Sequence, residues 1–358
     1  MTPYSVEIFD RSLTLKHHTN ANLATYSVDY LIPKASSISI PYTPDVAKGD
    51  YIRIYRDEQD FFGVVKVVTD AKLSHTVTQI EYEPFLSAIF GNEVLFVTTD
   101  QGSLISLEEE LRVMIRANWM VNADTLQNIP GLQLETISST TGWNFYITAS
   151  NRMSNYAIVN LYDQILVPAL AKYKVGLYVV PDFTAKTITI RIGVVSSTPY
   201  YIEADLPSVI SKNISLGETS VDVNKLVVYD NDDLNRSRTY YKHTDRTYDD
   251  EDRDRITPVI YSIATVTPSD HEPWDMAAQL AADRQFDQAS YSNLIELTVL
   301  NSDPLVKPGE LEIGQEVYII SGGQIYTSML TGKTVGTTTT LIFGSIRLDL
   351  TQLIKERF

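Results

Sequence analysis

Two stretches, one near each end of the chain, repeat the same pattern around a glycine. The later copy runs Leu311-Glu-Ile-Gly314-Gln-Glu-Val-Tyr-Ile-Ile320, turns through Ser321-Gly-Gly323, and continues from Gln324-Ile-Tyr326 to Leu330, then from Leu341-Ile-Phe-Gly344 to Arg347. Its apolar residues alternate, Val317, Ile319 and Ile325 among them, which is the two-residue period of a strand with one buried face. Gly322 and Gly323 suit the positive φ angles of a tight hairpin. The earlier copy runs Val46-Ala-Lys-Gly49-Asp-Tyr-Ile52-Arg-Ile54, then a polar turn Arg56-Asp-Glu-Gln-Asp60, then Phe62-Gly-Val-Val65. Aligned on Gly49 and Gly314, both copies read glycine, polar residue, alternating apolar residues, turn and aromatic (Phe62 and Tyr326), and both lead into another long strand. This predicts two related small antiparallel β-barrels in one chain, far apart in sequence.

The rest of the chain is ordered around these copies. In residues 1–97, strand patterns at Tyr4–Phe9, Leu13–Leu15, Tyr26–Tyr30, Ser37–Ile40, Gly49–Tyr55, Phe61–Thr69 and Thr76–Tyr82 suggest a closed or nearly closed barrel, followed by a helical turn from Pro84 to Phe90. Residues 98–207 change period. Ser106-Leu-Glu-Glu109 is a capping box, and Leu107, Leu111, Met114 and Ile115 recur at helical spacing, predicting a helix over 106–119. Trp143–Ile147 is a strand candidate. A second helix is expected over Asn155–Tyr173, interrupted at Pro168, and a hairpin from Val175–Val180 to Thr187–Ile192 that turns at Pro181-Asp182. The expectation is a mainly β fold with an α+β insertion domain joining the two barrels. Residues 208–350 return to β, with strands at Leu226–Tyr229, Thr239–Lys242, Pro258–Ile263, Leu294–Val299 and Gly314–Leu348. They are interrupted by a charged loop at 230–255 and an Ala-rich helix at 274–291, and residues 351–358 form a tail.

Charge and composition narrow the function. The 358 residues carry 45 acidic and 29 basic side chains, a net charge of −16, so the overall field repels nucleic acid. There is no cysteine, which removes disulfides, thiolate zinc sites and cysteine nucleophiles. Met1 to Glu7 lacks the basic start and apolar core of a signal peptide, and no apolar run approaches the roughly 18 residues of a membrane span. The acidic run Asp249–Asp252 lacks the ligand spacing of a calcium loop, and Arg246, Arg253 and Arg255 compete for its carboxylates. The histidines His17, His18, His75, His243 and His271 form no His-Glu-x-x-His pair. No Gly-x-Ser-x-Gly elbow occurs. Nothing singles out a carboxylate pair for glycoside hydrolysis, but 45 acidic residues leave a cell-wall hydrolase component open as an alternative. No catalytic, cofactor-binding or metal-ligating residue is therefore assigned, and no cofactor is expected. Trp119, Trp143, Trp274 and the many tyrosines leave open a carbohydrate- or receptor-binding protein, although Trp119 and Trp274 lie at helical positions that suit a core.

The order of barrel, α+β insertion and interrupted second barrel resembles the baseplate or tail-tip hub of tailed bacteriophages and prophages, the family that also forms the structural part of tail-associated lysins. The resemblance rests on Gly49-Asp-Tyr-Ile-Arg-Ile with Phe62-Gly-Val-Val, on Leu226-Val-Val-Tyr, and on Gly314-Gln-Glu-Val-Tyr-Ile with Tyr326–Thr331 and Gly344-Ser-Ile-Arg347. It implies a homotrimer whose two barrels per chain make a pseudo-six-fold ring. Such a ring joins the six-fold tail tube to a three-fold tip and surrounds the DNA channel. It further implies a virion protein assembled in the bacterial cytoplasm. The implied partners are a distal tail protein or tail-tube ring, a tape-measure protein, and tip or receptor-binding proteins. Many relatives continue into a cell-wall-degrading domain, whereas this chain ends soon after the last barrel strand, so docking without catalysis is expected.

Overall fold

The computed structural model describes residues 3–21, 24–31, 35–40, 44–56, 59–72, 76–97, 107–135, 152–153, 156–167, 169–170, 175–195, 198–216, 223–243, 247–255, 257, 259–267, 274–286 and 293–344. Strands β1 (Tyr4–Phe9) and β2 (Leu15–Ala21) form a hairpin. Asp10 fixes its turn by accepting the backbone N–H groups of Ser12 and Thr14 at 2.8 and 2.9 Å, which lets Leu13 adopt a φ of 58°. Then come β3 (Tyr26–Asp29), β4 (Ser36–Ile40), β5 (Tyr51–Arg56), β6 (Gln59–Lys72), β7 (Thr76–Pro84) and helix α1 (Phe85–Phe90), which starts after Pro84. The first barrel is a curled antiparallel sheet in the order β2-β1-β5-β6-β7-β4. Alternation turns Val6, Ile8, Ile52, Ile54 and Ile80 into one core, where each has no solvent exposure. Burying a side chain of this size contributes roughly 1.5–3 kcal/mol. Among the described residues no ladder joins β2 to β4. Only six of the seven expected strands belong to this sheet, because β3 pairs elsewhere.

The insertion contains β8 (Glu93–Val97), helix α2 (Leu107–Trp119), β9 (Leu132–Leu134), β10 (Arg152–Met153), β11 (Tyr156–Asn160), β12 (Val175–Asp182) and β13 (Thr187–Val194). Helix α2 follows its spacing: Leu107, Leu111, Met114, Ile115 and Trp119 are buried, and Glu108, Glu109 and Glu110 lie at the positive end of the helix dipole. Its expected cap, Ser106, lies outside the described residues, as do Trp143–Ile147 and Pro168. The helix expected from Asn155 begins later. Tyr156–Asn160 is a strand antiparallel to β8, and helical backbone starts at Leu161, passing through a π-helical turn at Tyr162–Leu166. A short run such as Tyr-Ala-Ile-Val suits either period, and the free edge of β8 decides for the strand. The hairpin of β12 and β13 turns at Phe183–Lys186, not at Pro181-Asp182. Pro181 stays in the ladder opposite Ile188, on an edge strand that tolerates the missing donor, and Asp182 caps the turn by accepting from Thr184 and Ala185 N–H.

Strands β14 (Tyr200–Glu203) and β15 (Val209–Leu216) follow. Ser215–Asn293 then form a compact unit of their own. It holds β16 (Lys225–Asp230), β17 (Ser237–Lys242), β18 (Tyr248–Asp249), β19 (Tyr261–Val266) and helix α3 (Trp274–Phe286). The sheet order is β18-β17-β16-β19, with β19 parallel to β16. Trp274, Ala278, Ala282 and Phe286, four residues apart, place one stripe of α3 on Leu226, Val228 and Tyr240. The strand expected from Pro258 starts at Tyr261, and residues 287–291 of the expected helix are not among those described.

The larger unit, Met1–Ile214 with Leu294–Phe358, closes with β20 (Asn293–Leu300), β21 (Glu316–Ser321), β22 (Gln324–Val335) and β23 (Thr338–Phe343). These make the second barrel, in the order β14-β21-β22-β23-β20-β15. Leu297, Val299, Val317, Ile319 and Leu341 form its core. The expected strand end at Leu348 and the tail at 351–358 are outside the described residues.

Candidate functional site

The two copies share the same backbone contacts around their glycines, although the edge strand beside each differs, β1 being antiparallel to β5 and β14 parallel to β21. Gly49 has φ 91° and Gly314 φ 90°. Gly49 N–H donates to Val65 O at 2.9 Å, and Val65 N–H to Asp50 O at 2.9 Å; Gly314 N–H donates to Leu330 O at 2.7 Å, and Leu330 N–H to Gln315 O at 3.0 Å. Ala47 N–H donates to the Asp50 carboxylate at 2.8 Å, and Glu312 N–H to the Gln315 amide oxygen at 3.2 Å. In both copies the strands then pair back at the same offset, Arg56 opposite Gln59 and Ser321 opposite Gln324. Both ladders slip at the same place, between Val65 and Val67 and between Leu330 and Gly332. A β-bulge increases local twist, so the two sheets bend alike. At this constant spacing the counterpart of Tyr326 is Phe61, one residue before the Phe62 expected from sequence.

A seam fastens the copies together. Strand β3 leaves the first sheet and runs antiparallel to β22, from Tyr26 opposite Val335 to Asp29 opposite Gly332, and Val335 packs into the first core. Tyr4 Oη donates to Gly336 O at 2.9 Å, and the Ser27 and Thr334 hydroxyls lie 3.0 Å apart. Gln59 Nε2 reaches the Thr339 hydroxyl at 3.3 Å, which donates to Asn301 Oδ1 at 2.7 Å, and Asn301 Nδ2 donates to Gly336 O at 2.8 Å. The Arg56 guanidinium lies 3.9 Å from the Tyr4 ring centroid. Polar links of this kind are directional, so they constrain the angle between the barrels, although the buried Gln59 Oε1 has no hydrogen-bond partner. Sequence reasoning found none of these seam residues. The contacts that cross from one copy to the other, Tyr4 to Gly336, Ser27 to Thr334 and Gln59 to Thr339, span 332, 307 and 280 positions and leave no local signal.

Elsewhere the larger unit encloses a cavity of about 320 Å³, lined by Tyr30, Phe61, Phe62, Phe85 and Tyr162 among others. Burial pushes the Tyr30 and Tyr162 phenols well above their ordinary pKa. Both already donate to backbone carbonyls, Tyr30 to Leu166 and Tyr162 to Tyr30. Asp29, Asp60 and Glu312 also line the cavity, so it joins aromatic rings to carboxylate-bearing residues.

The charged stretch at 230–255 is a network of ion pairs. Asp249 accepts from Arg253 at 2.7 Å and from His243 Nε2 at 2.9 Å, which hold its carboxyl well below the usual range. Asp250 pairs with Arg238 and Asp252 with Arg255. The arginine competition expected for Arg253 and Arg255 is realised, while Arg246 lies outside the described residues. Among the described residues no group of three His, Asp or Glu could hold a metal ion. His17 and His18 lie on β2 and His243 is buried, whereas His75 and His271 are not among the described residues. Trp119 and Trp274 are both buried, as their helical positions suggested. Among the described residues no helix is long and apolar enough to cross a membrane.

No protein-family model matches the sequence, and no curated protein matches it. Solved structures do. The chain is similar to the tail protein from Neisseria meningitidis at 12% identity, with a TM-score of 0.58 over 96% of this chain and 97% of that one. It is similar to the 43 kDa tail protein of prophage MuSo2 from Shewanella oneidensis at 11% identity, with a TM-score of 0.54 over 96% and 98% of the two chains. It is also similar to the prophage tail protein gp18 from Listeria monocytogenes at 12% identity, with a TM-score of 0.51 over 98% and 97%. Together with the duplicated barrels, these likenesses along nearly the whole chain show that it has the fold of bacteriophage and prophage tail proteins.

Proposed function

We propose that this chain is a structural hub of a phage tail tip or baseplate. Three copies form a ring in which six barrels alternate. The ring adapts the six-fold tail tube to a three-fold tip and surrounds the channel through which DNA passes. The observation that carries this reading is the duplication itself: the same glycine turn, bulge and ladder occur twice in one chain, locked by a hydrogen-bonded seam. A six-fold neighbour needs six similar surfaces, and three rigid barrel pairs supply them. The net charge of −16 supports a channel that does not hold phosphates. The partners are other copies of the chain, a tail-tube or distal tail ring, a tape-measure protein and tip or receptor-binding proteins. The protein acts in the virion after assembly in the bacterial cytoplasm, without a catalytic step of its own.

Light scattering tests the reading. The expected mass is that of three chains, formed alone or on addition of the tail-tube ring. A monomer under both conditions overturns the hub. Clearing of cell walls in a zymogram would overturn the absence of catalysis, and selective retention on a glycan array would favour a carbohydrate-binding role.

A further inference from the structure

The cavity beside Tyr30 and Tyr162 has a lining of one charge sign. Among the described residues no Lys, Arg or His lines it, whereas Asp29, Asp60 and Glu312 do. Asp29 is buried at 2% exposure, and its Oδ1 accepts the Leu31 N–H at 3.0 Å. Asp60 and Glu312 are the exposed members of the lining, so a solute arriving from water passes carboxylates first. Asp60 is bonded to Arg53 at 2.6 to 3.1 Å, which leaves Glu312 to set the charge at the way in. A fixed negative charge beside a low-dielectric wall draws cations and turns anions away.

Rings make much of the remaining wall. The Tyr30 and Tyr162 centroids are 5.5 Å apart with planes at 39°, and the Phe62 and Phe85 centroids are 5.4 Å apart with planes at 21°. Tyr178 of β12 completes the set. The rings are held before any ligand arrives. Tyr30 Oη donates to Leu166 O at 3.0 Å, Tyr162 Oη donates to Tyr30 O at 3.1 Å, and Phe85 is buried in α1. A wall already in place loses little entropy on binding. The carboxylates are felt at the phenols. Burial, and after it Glu312, pushes the Tyr178 phenol well above its ordinary pKa, and burial, then Asp29, does the same to Tyr162. A field that keeps phenols protonated is one that favours a positive ligand.

We propose that this cavity binds an alkylated ammonium ion, the trialkylammonium head group of a choline-like molecule, against the rings of Tyr30, Phe62, Phe85, Tyr162 and Tyr178, with Glu312 at the way in. A cation within about 6 Å of a ring centroid is attracted by the quadrupole of the ring, and rings grouped around a quaternary ammonium are a common form of such a site. The volume of about 320 Å³ falls at the small end of the roughly 300–1,000 Å³ of small-molecule pockets. A metal ion suits the cavity less. It needs several oxygen ligands at once, and among the described residues no three His, Asp or Glu come together to hold one. A primary ammonium also suits it less, because its three N–H donors and tightly held water are not replaced by rings. Such a site is complete within one chain, independent of the ring of three.

Isothermal titration calorimetry on the full chain tests this, with tetramethylammonium, choline and the uncharged carbon analogue of choline. Both cations should bind, and the uncharged analogue should bind about tenfold more weakly or worse. Glu312→Gln should weaken choline about threefold and leave the analogue unchanged. Tyr178→Leu should weaken choline about tenfold, with circular dichroism reporting the fold. Glu312 is exposed, so its variant still decides the matter should Tyr178→Leu disturb the structure. The control Glu251→Gln, at an exposed acidic residue of the Ser215–Asn293 unit, should bind as the wild type does. Phosphocholine carries the same head group on a phosphate. Weaker binding than choline supports a free cation as ligand, and tighter binding supports a head group tethered to a lipid or polymer. No binding of either cation at about 10 mM overturns the site. Equal affinity for the uncharged analogue makes the cavity an apolar one and overturns the cation. Choline binding unchanged in both variants lies elsewhere on the chain and overturns the proposal too.

Discussion

Tyr4 and Gly336 are joined by a single hydrogen bond, phenol oxygen to carbonyl oxygen at 2.9 Å, across 332 positions of sequence. The Tyr4 ring belongs to the first core and its hydroxyl ends on the β22–β23 turn of the second barrel. The same carbonyl accepts Asn301 Nδ2 at 2.8 Å. Tyr4→Phe alone should therefore cost about 1 kcal/mol, because the carbonyl keeps one donor. Asn301→Ala should cost more, since it also removes the acceptor of the Thr339 hydroxyl. The double variant strips the carbonyl of both donors and should lose more than the sum of the two, as urea unfolding of the four proteins would show.

The matched glycines separate backbone strain from packing. Alanine at Gly49 or Gly314 must adopt nearly the same φ, 91° or 90°, at about 1–3 kcal/mol. A Cβ at Gly49 meets nothing within 4 Å, whereas at Gly314 it falls 2.5 Å from Leu170 Cδ1 and 2.9 Å from Val195 Cγ2. Overpacking a buried site adds about 1–3 kcal/mol. Gly314→Ala should thus destabilise the chain more than Gly49→Ala by about that amount, read as the difference between their denaturant midpoints at equal slopes. Equal losses would mean that Leu170 and Val195 give way freely.

The duplication was legible because its signals are local. Positive-φ glycines, polar turns and alternation mark Gly49 and Gly314 alike, and the spacing of Leu107, Leu111, Met114 and Ile115 marks α2. What escaped depends on distant partners. Alternation identifies Tyr26–Asp29 as a strand but not as the neighbour of Lys333 and Thr334 in β22. Tyr156–Asn160 contains Ile158, which also fits a helical stripe with Leu161 and Ile165, and only the edge of β8 resolves the choice. The seam follows from which strands meet, which no window of sequence contains. The Phe61 and Phe62 ambiguity is a register question, and the paired bulges settle it.

His243 gives its unit a pH dependence. Burial opposes its charge, but Nε2 faces the Asp249 carboxylate at 2.9 Å and Nδ1 faces Arg253 O at 2.7 Å, and these bonds raise its pKa. A neutral imidazole has one N–H and serves one of the two acceptors. With the folded pKa above the unfolded value, the contribution is complete below about pH 6.5 and is lost as pH rises through the folded value. The melting temperature should fall across that window, and His243→Gln should flatten the fall. A wild-type curve parallel to that of the variant would show that His243 stays neutral.

Lys333 should give the opposite slope at higher pH. Its ammonium donates to Pro308 O at 2.6 Å and Leu311 O at 2.9 Å, fastening the loop before β21 to β22. Burial lowers its pKa to about 8, against a smaller opposing pull from Glu312. An unfolded lysine releases its proton near pH 10.4, so between about 8 and about 10.4 the unfolded chain holds more protons and stability rises with pH. Below about 8 both states are charged and the contribution is flat. The stability difference between wild type and Lys333→Met should therefore grow in favour of the wild type over that interval, and a labelled Lys333 side chain should titrate near 8 in nuclear magnetic resonance spectra. Titration at the ordinary lysine value, with a constant difference from the variant, would show that water reaches the ammonium and that the two carbonyls hold it at the surface.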